Sequence, residues 1–297
     1  MAIRSIKTIS PAEKTFEGAG FPVRRPFPIH KTPEIDPFLL LDEMGPAEHG
    51  PGEAQGAPDH PHRGFETVTY MLSGRMKHTD SHGNTGIIGP GDVQWMTAGD
   101  GVIHSEMPDE TFQATGGKMH GIQLWINLPK RDKRMKPRYQ DIPANQIPKV
   151  TSPDGLVQVT VIAGNALGAS AHIETRIPIT YLHLRIQPGG NFVQDVPATA
   201  NAFAYILHGS AQFSEENIQA SSGDLVVFAL DGDRVKIQVP PNARDVADMI
   251  LLAGEPLHEP IARYGPFVMN TEQEIFEAIN DYRNGRFGSI NTRKENT

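Results

Sequence analysis

The chain has 297 residues and a formal net charge of −8; it is 38% hydrophobic, with 29 Gly, 25 Pro and no Cys. Without cysteine there are no disulfides, thiolate ligands or thiol catalysis, so any metal must be held by His and carboxylate. The acidic balance disfavours direct nucleic-acid binding, and no run of about eighteen apolar residues suggests a membrane-spanning helix.

The length suggests about two domains, and frequent Gly and Pro between short apolar runs favours an all-β fold. The first twenty residues lack the apolar core of a signal peptide, so a cytoplasmic protein is expected, or a nuclear one in a eukaryote.

Residues 2–9 alternate in polarity and predict an edge strand. Residues 37–42, PFLLLD, read as a short buried strand. The Gly- and Pro-rich stretch 44–59 reads as a loop, with His49 inside it. Next comes His60-Pro61-His62-Arg63-Gly64-Phe65-Glu66, followed by a strand that closes at Ser73-Gly74. From Lys77 the pattern is strand, turn at His82-Gly83-Asn84, strand Thr85 to Ile88, then the turn Gly89-Pro90-Gly91-Asp92. Val93–Met96 and Val102–Glu106 are further strands, and Gly121–Leu128 is a long one with apolar residues at even positions. Short strands at this spacing indicate a barrel or a sandwich.

Residues 129–149 change character and read as a basic, Pro-containing connection. Its cations Lys130, Arg131, Lys133, Arg134, Lys136 and Arg138 fit a solvated linker, or else a patch for a partner. The second half then repeats the first. Ala204–Gly209 matches Thr69–Gly74 at an offset of 135, and Ser222–Phe228 matches Pro90–Met96 at 132. These offsets imply a duplicated barrel. They place Asp195, Pro197 and Asn201 opposite His60, His62 and Glu66, and Lys236 and Gln238 opposite His104 and Glu106. The second barrel is therefore expected to bind no metal. Thr271 to Glu274 forms a capping box for a C-terminal helix, with Ile275, Phe276, Ile279 and Tyr282 on one face, Gly285 as its stop and a frayed tail after Gly288.

The chemistry concentrates in two windows. His60, His62 and Glu66 have the same parity, and so do His104 and Glu106, so each set is expected on one face of a strand. Three neutral imidazoles and a carboxylate suit a divalent first-row metal such as Fe, Mn, Co, Ni, Cu or Zn, with about two coordination positions left open. Glu66 reads as a fifth ligand, as a group orienting an imidazole, or as an acid/base. Phe65, Met71, Trp95 and Trp125 read as core residues or as an apolar wall of the site. His78, His82, His120, His183 and His208 have no partner at ligand spacing and are assigned structural or surface roles.

The pattern His-x-His-x3-Glu-x7-Gly (His60 to Gly74) and the segment from Gly91 to His104 resemble the two cupin motifs. The late second histidine, Thr97 where proline is usual, and Glu106 narrow the resemblance to the pirin family. HPHRGFETVTY, PGDVQWMTAGDGVIHSEMP, GIQLWINLP and AGEPLHEPIARYGPFVMNT are all similar to pirin segments, over about residues 3–285.

The resemblance implies an all-β chain of two tandem cupin (jelly-roll) barrels with a C-terminal helix. The parts are 1–130, a metal-binding barrel; 131–149, the linker; 150–265, a barrel without metal ligands; and 266–297, the helix and tail. It implies Fe(II) held by His60, His62, His104 and Glu106, with Glu106 or Glu66 as the proton acceptor. The implied activity is that of a quercetin 2,3-dioxygenase, opening a flavonol with O2 and releasing carbon monoxide. The alternative is a non-enzymatic, iron-dependent, redox-sensitive interaction protein that regulates transcription or a metabolic enzyme. A monomer is expected. Because the imidazoles must be neutral to bind, the metal is expected to leave between about pH 6 and 4.

Overall fold

The computed structural model describes residues 1–290; the last seven residues, and with them most of the expected frayed tail, lie outside the described residues. The chain forms two compact units, interleaved in sequence. One comprises Met1–Glu13, Arg24–Leu40 and Asn145–Leu257; the other comprises Lys14–Val23, Leu41–Ala144 and His258 onward. The sequence reading divides the chain into contiguous stretches, whereas here the N-terminal strand counts with the C-terminal barrel and the C-terminal helix with the N-terminal one.

Each barrel pairs a seven-stranded sheet with a four-stranded one. In the first, the large sheet runs in the order Arg138–Ile142, Val93–Thr97, Phe65–Ser73, Gly117–Asn127, Phe38–His49, Phe21–Phe27, Glu13–Glu17. Its small sheet runs Ala57–His62, Val102–Pro108, Met76–Asp80, Thr85–Ile88. In the second, the large sheet runs Ile6–Pro11, Asp224–Phe228, Asn201–His208, Ala247–Gly254, Ile179–Ile186, Val157–Ala163, Lys149–Thr151. The small sheet is Asn191–Asp195, Arg234–Gln238, Ser210–Phe213, Ile218–Ser221.

The two orders correspond strand for strand, and in the middle of the large sheets so does the register. Thr69 pairs with Gln94 in the first barrel, and Ala204 pairs with Val226 in the second. These pairs carry the same offsets of 135 and 132 that the sequence shows, so the duplication is built into the hydrogen-bond ladders. Ile6–Pro11 caps the second large sheet in the place that Arg138–Ile142 takes in the first. Arg4 anchors that N-terminal segment. Its buried guanidinium donates to the carbonyls of Gly232, Ala200 and Pro197 at 3.0, 2.7 and 2.7 Å, and burial lowers its pKa.

Three local expectations change. The stretch 44–59 is not all loop. The strand Phe38–His49 runs through Met44–His49, and Ala57–His62 begins at Ala57, which leaves only 50–56 irregular. His49 therefore ends a strand, with its ring 6.5 Å from that of Phe112. The helix Glu272–Arg283 has the expected Thr271–Glu274 capping box, but it buries Ile275, Ala278 and Asp281. Phe276, placed on the apolar face from sequence, is 60% exposed. It sits about 100° around the helix from Ile275, at the edge of the buried stripe.

The basic segment 130–138 is also more than a solvated linker. Arg138 lies in a strand paired to Val93–Thr97. Arg134 bonds Asp100 at 3.1 Å and Glu277 at 2.5 Å. Lys133 is buried, and its Nζ donates to the Gly64 carbonyl, the Asn127 Oδ1 and the Val268 carbonyl at 2.9, 2.7 and 2.9 Å. Burial pushes its pKa down to about 8. Lys130, Arg131 and Lys136 remain exposed. Beside it, Arg63 holds the C-terminal helix: it bonds Asp281 at 2.8 Å and the Asp100 carbonyl at 2.7 Å, and its guanidinium lies 4.6 Å from the centre of the Phe287 ring. Among the described residues no helix is long and apolar enough to cross a membrane.

Lys133 satisfies three buried acceptors at once, so removing it strands all three. Lys133→Met is expected to cost about 3 kcal/mol in urea unfolding; an unchanged unfolding midpoint would contradict this role.

Candidate metal centre

Three imidazoles meet inside the N-terminal barrel because of strand register. In the pairing of Val102–Pro108 with Ala57–His62, His104 lies directly opposite His60, and Val102 opposite His62. Directly opposed residues share a face, and so do residues two apart. His60, His62 and His104 are thus forced to one side of the small sheet. Their ring centres are 4.7 Å (His60–His62), 4.4 Å (His60–His104) and 4.9 Å (His62–His104) apart. One ligand nitrogen from each ring lies within 4.8 Å of the other two.

Hydrogen bonds occupy one ring nitrogen of His60 and one of His62. His60 Nδ1 is 2.7 Å from the Pro58 carbonyl, which makes Nδ1 the N–H and leaves Nε2 with a lone pair. The Pro266 carbonyl is the hydrogen-bond partner of His62, whose Nδ1 has none. Among the described residues, both ring nitrogens of His104 are buried without a protein partner. Buried polar atoms left this way are costly in a finished core but are what a metal requires. The donor set is all imidazole, with no thiolate, and fits a divalent first-row metal.

Glu106 shares the strand face of His104, as its parity predicts, but its carboxylate is not part of the three-histidine group. A bulge separates the two: His104 pairs with His60, while Glu106 pairs with Ala57. Glu106 Oε1 instead accepts a hydrogen bond from Thr69 Oγ1 at 2.9 Å.

Glu66 does not join the site. Parity aligns Glu66 with His60 only along one continuous strand, but the chain turns at Arg63-Gly64, where Gly64 has φ 89° and a Cβ would meet the Val268 carbonyl at 2.0 Å. The next strand begins at Phe65 and restarts the alternation. Phe65, Thr67, Thr69 and Met71 take the site's face, and Glu66 takes the other, where its Oε1 accepts from Thr97 Oγ1 at 2.6 Å. Thr97, in the place where the motif usually has proline, thus has a structural partner.

The aromatic residues divide in the same way. The Phe65 and Trp125 rings lie 5.0 and 5.3 Å from that of His62 and 4.4 Å from each other, so both line the site. Trp95 pairs with Val68 and lies on the opposite sheet face. His78, given a structural or surface role from sequence, is buried inside the barrel opposite Glu106. It bonds Gln94, stacks on Tyr139 at 12° and 5.6 Å, and has its pKa lowered by burial, against the pull of Asp141, Glu106 and Asp80. Its backbone position after a turn gave no spacing signal in sequence. His120 bonds Glu43 at 2.9 Å and His183 bonds Asp248 at 2.6 Å, away from the three-histidine group.

In the second barrel the corresponding residues serve other ends. Asp195 pairs with Arg234, Lys236 with Glu215, and Gln238 with Gln212 and Asn217. The interior is closed by an apolar cluster that includes Leu184, Phe192, Ala204, Phe213, Val226 and Leu251.

Burial lowers His62 and His104 well below imidazole's usual 6.5, and neighbouring imidazoles push the same way: His60 on His62, and His62, His60 and His78 on His104. Both rings are therefore neutral at pH 7, as metal binding requires. Proton competition begins lower than for free imidazole, which moves metal loss toward the acid end of the expected pH 6–4 window. In the unfolded chain these groups titrate near 6.5, so below that pH the unfolded state binds more protons than the folded one, and stability falls as pH falls. The metal-free protein is expected to lose Tm between about pH 6.5 and 5, with less loss in the His62→Gln/His104→Gln double variant. A pH-independent Tm over this range would contradict the buried, neutral assignment.

Comparison with known proteins agrees with this geometry. The Pirin family model matches residues 20–126, and that of the Pirin C-terminal cupin domain matches 181–288. Human Pirin is 42% identical over 274 residues, covering 92% of this chain and 90% of its own. A quercetin 2,3-dioxygenase from Acinetobacter baumannii has a TM-score of 0.90 at 36% identity, over 97% of this chain and 100% of its own. A bacterial pirin from Escherichia coli, solved in complex with nickel(II), shares the fold with a TM-score of 0.61 at 20% identity, over 84% of this chain and 99% of its own. With two matching cupin domains and relatives above 40% identity over most of its length, the chain belongs to the pirin family of bicupins.

Proposed function

We propose that the N-terminal barrel is a mononuclear metal site that opens a flavonol with O2, as a quercetin 2,3-dioxygenase does, with Fe(II) as the resident metal. The observation that carries this reading is the convergence of three imidazoles, with His62 Nδ1 and both ring nitrogens of His104 buried without a partner among the described residues. The likeness to the Acinetobacter enzyme supports the substrate class.

His60, His62 and His104 would hold the metal, with Glu106 as the fourth ligand. When bound, such a metal supplies Lewis acidity that lowers the pKa of a hydroxyl at an open position and brings O2 to the same centre. Glu106 is a carboxylate on the site's face two residues from His104, and its Oε2 is assigned to take the proton of the flavonol 3-hydroxyl. Glu66, on the other face, has no part in this chemistry. Phe65 and Trp125 beside His62 offer an apolar wall for a planar ring.

The same strand face leads to an opening that suits an aromatic molecule. Phe65 lies at His62, Thr69 at Glu106, and Met71 about 7 Å further along the strand. Met71 packs with Met76 and Met119. Met76 and Met119, together with Phe21, Pro22 and Met44, line a small, mostly apolar pocket that is open to solvent. Methionine adapts to flat aromatic surfaces.

The test is oxygen-dependent loss of quercetin's visible absorbance by the Fe(II)-loaded protein, with carbon monoxide measured alongside. Turnover is expected for the native chain and only background for His62→Ala; equal rates for the two would overturn this function.

A further inference from the structure

The three histidines need little besides strand register to find their places. Glu106, whose carboxylate is not part of the three-histidine group, needs a separate device to orient it, and the structure contains one. Thr69 Oγ1 lies 2.9 Å from Glu106 Oε1 and 2.6 Å from Gln123 Oε1. A hydroxyl has one proton and cannot donate to both. An ionised carboxylate only accepts, whereas an amide both donates and accepts, and its oxygen and nitrogen exchange places on a flip. The arrangement that satisfies every group has the Gln123 amide donating to Thr69 and Thr69 donating to Glu106. We propose that Thr69, backed by Gln123, is a positioning residue that fixes one carboxylate oxygen of Glu106 and leaves the other free to serve the metal centre.

A second observation points the same way. Thr69 lies between Gln94 and Gln123 in the sheet register, so three polar side chains cross three adjacent strands of the barrel interior. The equivalent positions of the second barrel are Ala204, Val226 and Leu251, all buried apolar core. The same fold is thus built with no polar group there. Burying a hydroxyl and two amides costs free energy unless each is bonded, so their presence in one barrel alone ties them to that barrel's site.

This inference rests on the metal-centre reading, and its test separates the two. The full-length, metal-free protein is titrated calorimetrically with Ni(II). Thr69→Val keeps the shape and removes the hydroxyl; Thr69→Ser keeps the hydroxyl. Groups that orient a metal ligand are typically worth 10–100-fold in affinity, so Thr69→Val is expected to weaken Ni(II) binding by about 10-fold or more. Thr69→Ser is expected to bind close to the native chain. In a Glu106→Ala background Thr69→Val should cause no further loss, because the two residues act as one unit.

The proposal is overturned if Thr69→Val binds as tightly as the native chain. It is equally overturned if Thr69→Ser is as weak as Thr69→Val, or if Thr69→Val causes the same loss without Glu106. If the native chain itself binds Ni(II) no better than His62→Ala, the metal-centre reading falls, independently of the Thr69 comparison.

Discussion

The site depends on the register of one antiparallel strand pair. With His104 opposite His60, and His62 two residues along, three imidazoles have to face the same interior. A slip of one residue in this pairing would send His104 to the other face and dismantle the centre. Such a register needs support from outside the pair. On one side, the Pro266 carbonyl bonds His62 and also accepts from the Arg63 backbone at 3.3 Å. On the other, His104 and Glu106 pair with Asp80 and His78, which extends the small sheet. Arg63 and Lys133 tie the segment after His62 to the C-terminal strands and helix, so the tail of the chain is part of what holds the histidines.

The duplicated barrel separates what the fold needs from what the site needs. Both barrels have the same strand orders, and the pairing of Thr69 with Gln94 and Gln123 recurs as that of Ala204 with Val226 and Leu251. One interior is filled mainly by an apolar cluster, as expected of a domain whose stability comes from burial. The other places Thr69, Gln94 and Gln123 where the second barrel has Ala204, Val226 and Leu251, and buries His62 and His104 as well. Those side chains are affordable only because hydrogen bonds or a ligand satisfy them. The polar interior is therefore the chemical content of the first barrel, and the second shows that the scaffold stands without it.

Much of this could be read from sequence where a local rule applied. Alternation gave the buried even positions of Gly121–Leu128; the turn at His82-Gly83-Asn84 split two strands correctly; the Thr271–Glu274 spacing located a helix start. The pair of offsets between halves revealed the duplication, and the ladders reproduce both values. The misreadings came where a nonlocal feature intervened. Glu66 was aligned with His60 by parity, but a turn at Arg63-Gly64 restarts the alternation. Lys133 looked like one of several solvated cations, yet Asn127 and two carbonyls distant in sequence bury it. His78 had no ligand-like spacing because its neighbours Gln94, Tyr139 and Asp141 arrive from other strands. The N-terminal strand could be recognised, but the barrel it completes depends on pairing with residues more than 200 positions away.

The proposed metal belongs to one barrel of the two, with three histidines at its core. Its decisive test is the metal content per chain after reconstitution and dialysis at pH 7.5. One metal per native chain is expected, and none in a His104→Ala variant whose circular dichroism is unchanged. A second metal per chain, or one retained without His104, would contradict it.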